Sequence, residues 1–184
     1  VTYLFVAIAI ITALIIWGFN IIVRAKNIVR TAWSDIDVQL KRRSDLIPNL
    51  VESTKGYAGF ERETLESVVR ARSAIESSSL SPSERASKEG QLAERVATIV
   101  AVAEKYPELK ASTQFMKLQE ELSRTESDIA NARRYYNAAT RDLNTLLDSF
   151  PIGLLGKLLG FRKEEFFSID NSEERDAPSA RLDQ

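Results

Sequence analysis

The 184 residues include no histidine and no cysteine. Any chemistry would therefore fall to carboxylates, hydroxyls, lysines and arginines. Without His the commonest general base and metal ligand is missing. Without Cys there is no thiolate nucleophile, disulfide or iron–sulfur ligand. Carboxylate di-metal sites in helical bundles use a Glu-x-x-His pattern, which this sequence does not contain. The 7 glycines are scattered and form neither GxGxxG nor GxxxxGK, so no phosphate loop is present. Glu61, Glu63 and Glu66 cluster on one stretch, where a solvated face is the plain reading. A non-enzymatic protein with no cofactor and no metal is expected.

The remaining polar groups of interest sit among apolar residues. Asp35 and Asp37 precede the basic run Lys41-Arg42-Arg43. Asp37 and Lys41 are four apart in the favourable acid-first order, so an intrahelical pair is the plainer expectation. Pairing between helices is the second. Arg43, Asp45, Pro48 and Asn49 interrupt an otherwise packed helix, and a structural kink is preferred there over a binding site. Tyr135-Tyr136-Asn137 lies late in the chain. There Tyr136 suits the core, while Tyr135 or Asn137 suits cross-linking of helices.

The elements that position these groups read as helices almost throughout. Phe115, Leu118, Leu122, Thr125, Ile129, Ala132, Tyr136, Ala139, Leu143, Leu146 and Phe150 recur at alternating steps of three and four. That is one seam along a long helix of the bundle or coiled-coil kind, and Pro151 stops it. Val29, Trp33, Ile36, Leu40, Ile47 and Leu50 form a similar stripe, with Arg43 where an apolar residue is expected. Pro48 should disturb that helix, and Gly56 and Gly59 mark its end. Residues 60–78 form another helix with Leu65, Val68, Val69, Ala71 and Ile75 inward. Ser81 can cap the next one, with Pro82 at its first position and Glu84 completing a capping box. That helix runs to about Glu104, and Tyr106 and Pro107 close it. The fold class is all-α: an antiparallel up-and-down bundle of four helices, the first and last much longer than the middle two.

Ahead of the bundle, residues 1–23 read VTYLFVAIAIITALIIWGFNIIV and carry no charge. An apolar helix of this length spans a hydrocarbon core of ~30 Å, with Tyr3 and Trp17 of the type found at interfaces. A signal peptide is the rival, but the stretch lacks a basic start and a small-residue cleavage site. Arg24, Lys26, Arg30, Lys41, Arg42 and Arg43 follow the span, which predicts a single-pass membrane protein with the N-terminus outside and residues 24–184 on the cytoplasmic side. Residues 24–150 form the bundle. With 25 basic and 26 acidic residues in all, the domain is near neutral and nucleic acid is not an expected partner. The expected partners are the bilayer and either another membrane protein or a second copy. Residues 151–167 include Leu154, Leu155, Leu158, Leu159 and Phe161, an amphipathic segment that either covers the bundle end or lies on the membrane surface. Residues 168–184 read as a disordered acidic tail.

The chain closely resembles the bacterial LemA family, beginning at the apolar helix. The resemblance rests on AWSDIDVQLKRRSDLIPNLVESTKGYAGFE at 32–61, VVRAR at 68–72 and LKASTQFMKLQEELSRTESDIANARRYYNAATRDLNTLLDSFP at 109–151. It implies a membrane-anchored helical bundle with no established enzymatic activity, some members being linked to membrane organisation in magnetosome-forming bacteria. Trp33, Asp37, Arg42, Arg43, Asp45, Pro48, Asn49, Gly56 and Tyr57 fall on its first block, and Glu126, Arg133, Tyr136 and Asn137 on its second. The resemblance puts the two blocks on the two long helices and implies a buried pair of Arg42 or Arg43 with Glu126. An adaptor or scaffold is the first functional expectation, and an oligomeric membrane-organising protein the alternative. Trp33 and Phe60 are candidate interface anchors if exposed.

Overall fold

The computed structural model describes residues 1–55, 62–77 and 79–168. Among them are six helices: α1 (Thr2–Thr54), α2 (Arg62–Glu76), α3 (Pro82–Ala103), α4 (Pro107–Lys110), α5 (Thr113–Asp148) and α6 (Ile152–Leu158). Gly56, Tyr57, Gly59 and Phe60 lie outside the described residues, as does the tail beyond residue 168.

The first third of α1 is long and apolar enough to cross a membrane, and only 11% of its most apolar stretch is buried. A core helix of a water-soluble domain would be mostly buried, so this bare stretch suits lipid. The same helix continues without a break into the bundle. Pro48 has no N–H to offer the backbone four residues earlier, yet α1 runs through it to Thr54. The expected disturbance costs a backbone hydrogen bond but does not end the helix.

The principal pairing is α1 with α5. It is antiparallel: Ile22 shares a core with Leu147, Trp33 stacks on Tyr136 and Arg43 bonds Glu126. Two cores result. Away from the membrane end, Ile47 and Leu50 of α1 pack with Leu65 and Val68 of α2, Leu92 and Ile99 of α3, Leu109 of α4, and Phe115 and Leu122 of α5. Toward the membrane, Ile22, Val29, Ile36 and Leu40 of α1 meet Ile129, Tyr136, Leu143 and Leu147 of α5. The long helices thus pair alone over part of their length; α2 packs at the far end, and the first turns of α3 reach the membrane-side core at Ala86.

The seam of α5 follows the expected positions from Phe115 to Leu143 and then departs. Leu147 is buried instead of Leu146, and Phe150 is 88% exposed. A straight helix drifts about 20° per heptad from a 3.5-residue repeat. Four heptads separate Phe115 from Leu143, so one further step of four restores the inward face.

α3 begins with the expected capping box. Ser81 accepts from the Glu84 backbone N–H, and the Glu84 carboxylate accepts from the Ser81 N–H at 3.0 Å. The Ser81 backbone amide holds the Glu84 carboxyl below its ordinary value. Replacing Ser81 by Ala should cost about 1 kcal/mol, read from thermal unfolding of the full chain in detergent. The Glu84 contribution has a depressed folded pKa, so it is complete above the unfolded value and vanishes as pH falls through the folded one. The Tm gap between wild type and Glu84→Gln should therefore close as the pH is lowered below about 4.

Candidate functional site

Arg43 lies on the inward stripe of α1 and is 2% exposed. Its Nη1 donates to Glu126 Oε1 of α5 at 2.8 Å. Its Nη2 donates to the Glu89 carbonyl of α3 at 3.0 Å and to Glu89 Oε2 at 2.5 Å. Glu89, itself 5% exposed, lies 3.8 Å from Arg85 Nε one helical turn earlier. Arg85 closes the chain on Asp37 of α1 at 2.7 Å. Acid and base alternate as Glu126, Arg43, Glu89, Arg85 and Asp37, and the five groups tie α5, α1 and α3 together. Arg43 and Glu89 are buried, while Glu126 and Asp37 at the two ends are half-exposed, so a slip by one residue would leave a buried ion without its partner.

Asp37 therefore pairs between helices and not with Lys41, whose partner on α1 is Asp45 at 3.6 Å. The plainer expectation for Asp37 is overturned because its carboxylate faces α3, where Arg85 offers a guanidinium. Of the implied alternatives, Arg43 and not Arg42 meets Glu126. Trp33 is half-buried rather than a free anchor. Its ring lies 5.4 Å from Tyr136 and 6.0 Å from Phe167, with the Arg85 guanidinium 5.9 Å from its centre. Arg42, Asp45, Pro48 and Asn49 are exposed. Arg133 is half-buried in a groove it shares with Arg43, Glu89, Glu126 and Phe167.

Phe167 lines that groove too, and it belongs to a strap, residues 162–168, that runs along α5 without helix or strand. Two asparagines of α5 hold it. The Asn137 side chain donates to the Phe167 carbonyl at 3.1 Å and accepts from its N–H at 2.9 Å. Asn144 treats Glu164 the same way, at 2.9 and 3.0 Å. Each carboxamide thus replaces one rung of a β-ladder. Tyr136 donates its hydroxyl to the Glu165 carbonyl at 2.8 Å. Burial, with the Glu164 and Glu165 charges nearby, pushes that phenol above its ordinary range. Phe167 is 3% exposed. Asn137 was expected to cross-link helices, and it cross-links a helix to this strap instead.

Leu155 of α6 is half-buried beside Gly18, and Phe161 stacks on Phe19 at 6.0 Å. Leu154, Leu158 and Leu159 are exposed. Among the described residues no group of three or more acidic side chains is arranged to hold a metal ion.

The residues that sequence reasoning missed are Arg85, Glu89, Asn144 and Phe167. Glu89 had a signal: stepping back three from Leu92 along the inward face of α3 lands on it.

Replacing Arg43 by Met should destabilise the fold by about 3–5 kcal/mol, because Glu89 stays buried with its nearest counter-ion gone. Adding Glu89→Leu should recover most of that loss. Both are measurable by denaturant unfolding in detergent. Asn137→Ala should expose residues 162–168 to faster amide exchange while leaving exchange in α3 unchanged.

Residues 32–181 match the LemA family, a span that begins beyond the apolar stretch and takes in all five members of the ionic chain. The sequence is similar to Protein LemA of Metamycoplasma hominis, 25% identical over 163 residues, covering 89% of this chain and 74% of that one. It is also similar to magnetosome protein MamQ 2 of Paramagnetospirillum magneticum, 23% identical over 180 residues, covering 84% of this chain and 66% of the relative. Magnetosome protein MamQ of Magnetospirillum gryphiswaldense is 22% identical over 185 residues, covering 87% and 68%. The chain thus spans about two thirds to three quarters of these relatives. With the match running through both long helices and the charges that join them, this membrane-associated helical protein belongs to the LemA family.

Proposed function

We propose that the protein is a non-enzymatic scaffold of the bacterial inner membrane, anchored by α1, with its domain in the cytoplasm and a partner docked along the outer face of α1. One observation carries this reading. Val38, Arg42, Asp45 and Asn49 are all exposed and recur at steps of four, three and four, which is one stripe opposite the buried face. Pro48 sits beside them, also exposed. A proline inside a helix costs about 3 kcal/mol relative to Ala, and packing within this chain gives nothing back for it. Recognition by a second membrane-anchored protein accounts for that cost. The ionic chain, by contrast, is used up in holding the helices together. The basic residues after the span support the cytoplasmic side for the domain.

The alternative is an assembly that organises the membrane. It is supported by exposed Phe150, Leu154 and Leu158 and by the magnetosome proteins among the relatives.

A photo-crosslinking residue placed at Arg42 or Asn49 should give a discrete membrane-protein adduct in living cells, and one placed at Glu94 on α3 should not. An adduct of twice the chain mass would make the partner a second copy. Equal yields at all three sites, or none, would overturn the docking face.

A further inference from the structure

α5 heads back toward the membrane end and turns at Pro151 into α6. Leu147, near the end of α5, lies beside Ile22, and the turn that follows reaches deeper along the span. Ile11, Leu14, Ile15, Trp17 and Gly18 of α1 line one groove with Pro151, Ile152 and Leu155. The approach is close because the facing residues are small. A Cβ on Gly18 would lie 2.8 Å from Leu155 Cδ2, and one on Gly156 would lie 2.7 Å from Leu147 Cδ2. The first charge on α1 is Arg24. At about 1.5 Å per residue, Gly18 is ~9 Å and Ile15 ~13 Å beyond it, against a half-thickness of ~15 Å for the hydrocarbon core.

Apart from Lys157, what this turn shows to its surroundings is apolar. Phe150 is 88% exposed, Leu158 83%, Leu154 68% and Leu159 45%. They adjoin the bare surface of α1, where Trp17 lines a groove with Pro151 and Leu155 and Phe19 meets Phe161. The polar groups at the same level have partners within the chain. The Ser149 hydroxyl donates to the Thr145 carbonyl at 2.7 Å, and Asp148 is paired with Lys163 at 2.7 Å. Pro151 brings no N–H to the tip, and the Gly153 N–H is bonded to the Ser149 carbonyl at 2.6 Å. Leucines turned outward beside a membrane span are what hydrocarbon accommodates and water does not. Arg24, Lys26, Arg162 and Lys163 flank the two apolar stretches in the sequence, and Lys157 lies exposed within the turn itself. Those within reach of the boundary suit anionic headgroups, and Lys157 can snorkel to them.

We propose that the turn formed by residues 150–159 is embedded among the lipid acyl chains of the leaflet on the domain side, as a re-entrant element beside the span. The occupant of its exposed face is lipid, by continuity with the bilayer-facing surface of α1. One leaflet then holds α1, the end of α5 and α6, and the other holds α1 alone. The inference rests on the membrane anchoring in the reading above and is independent of the docking face.

The chain has no cysteine, so single-site labelling is clean. Full-length protein carrying Leu154→Cys, Leu158→Cys, Ile11→Cys or Glu120→Cys, each bearing bimane, is placed in vesicles of phosphatidylethanolamine and phosphatidylglycerol. Fluorescence is read against lipids brominated on the acyl chain and against aqueous iodide. The labels at Leu154 and Leu158 should lose as much signal to brominated lipid as the label at Ile11, and as little to iodide. Glu120 should show the reverse. If Leu154 and Leu158 behave like Glu120 while Ile11 stays in lipid, the re-entrant turn is overturned and the anchor stands. If Ile11 also behaves like Glu120, both fall. Protection of Leu154 and Leu158 from both quenchers would mean a protein occupant and would overturn lipid contact.

Discussion

Arg43 carries a full charge at a position where the stripe of α1 otherwise places Ile36, Leu40, Ile47 and Leu50. An unpaired guanidinium in a packed core would cost several kcal/mol, so its neighbours must answer it. Glu126 does so from α5 and Glu89 from α3, and Arg85 and Asp37 extend the alternation. The two cores lie on either side of this chain of charges. Away from the membrane the bundle is an ordinary apolar interior of α1, α2, α3, α4 and α5. Toward the membrane it narrows to two helices and whatever covers them. A different registry of α1 on α5 would bury the same kinds of aliphatic side chain, but it would separate Arg43 from Glu126. Hydrophobic burial drives association without specifying alignment, whereas the pairs of Arg43 with Glu89 and Glu126 are made in one registry.

Much of this was legible in the residues. The steps of three and four gave both long helices, the capping box at Ser81 gave the start of α3, and the single basic residue in an apolar stripe marked Arg43. The family resemblance implied Arg42 or Arg43 as the partner of Glu126, and the structure selects Arg43. Other features were hidden for physical reasons. The ends of the α5 seam depend on accumulated drift of the helix, which shows only when the partner helix is in place. Asp37 could pair along its own helix or between helices, and spacing favoured Lys41 because α3, with Arg85, was not yet in view. The strap is held by side-chain amides bonding backbone groups, and a backbone group bears no mark in the sequence. Only Phe167, an aromatic in a charged stretch, hinted that something there is buried.

The strap also changes how the membrane-proximal half is understood. Two paired helices bury too little to exclude water from a seam, and Phe167 with Phe161 supplies part of the missing cover. The strap crosses from α6 along α5 as far as Ser83, the hydroxyl of which donates to Glu165 at 3.0 Å. The first turn of α3 is thereby linked to the segment that leaves α6, so the two ends of the domain share a covalent and hydrogen-bonded route separate from the long helices.

α1 has no joint between the apolar span and the far core. At about 1.5 Å per residue, its 53 residues form a rod of about 80 Å, of which some 45 Å stands beyond Arg24. Spans longer than the local hydrocarbon thickness tilt to fit, by about 20° on average. Carried along a stiff rod, a tilt of that size displaces the far end sideways by about 15 Å. A change in bilayer thickness that altered the tilt of α1 would therefore carry the distal bundle sideways, not only up or down.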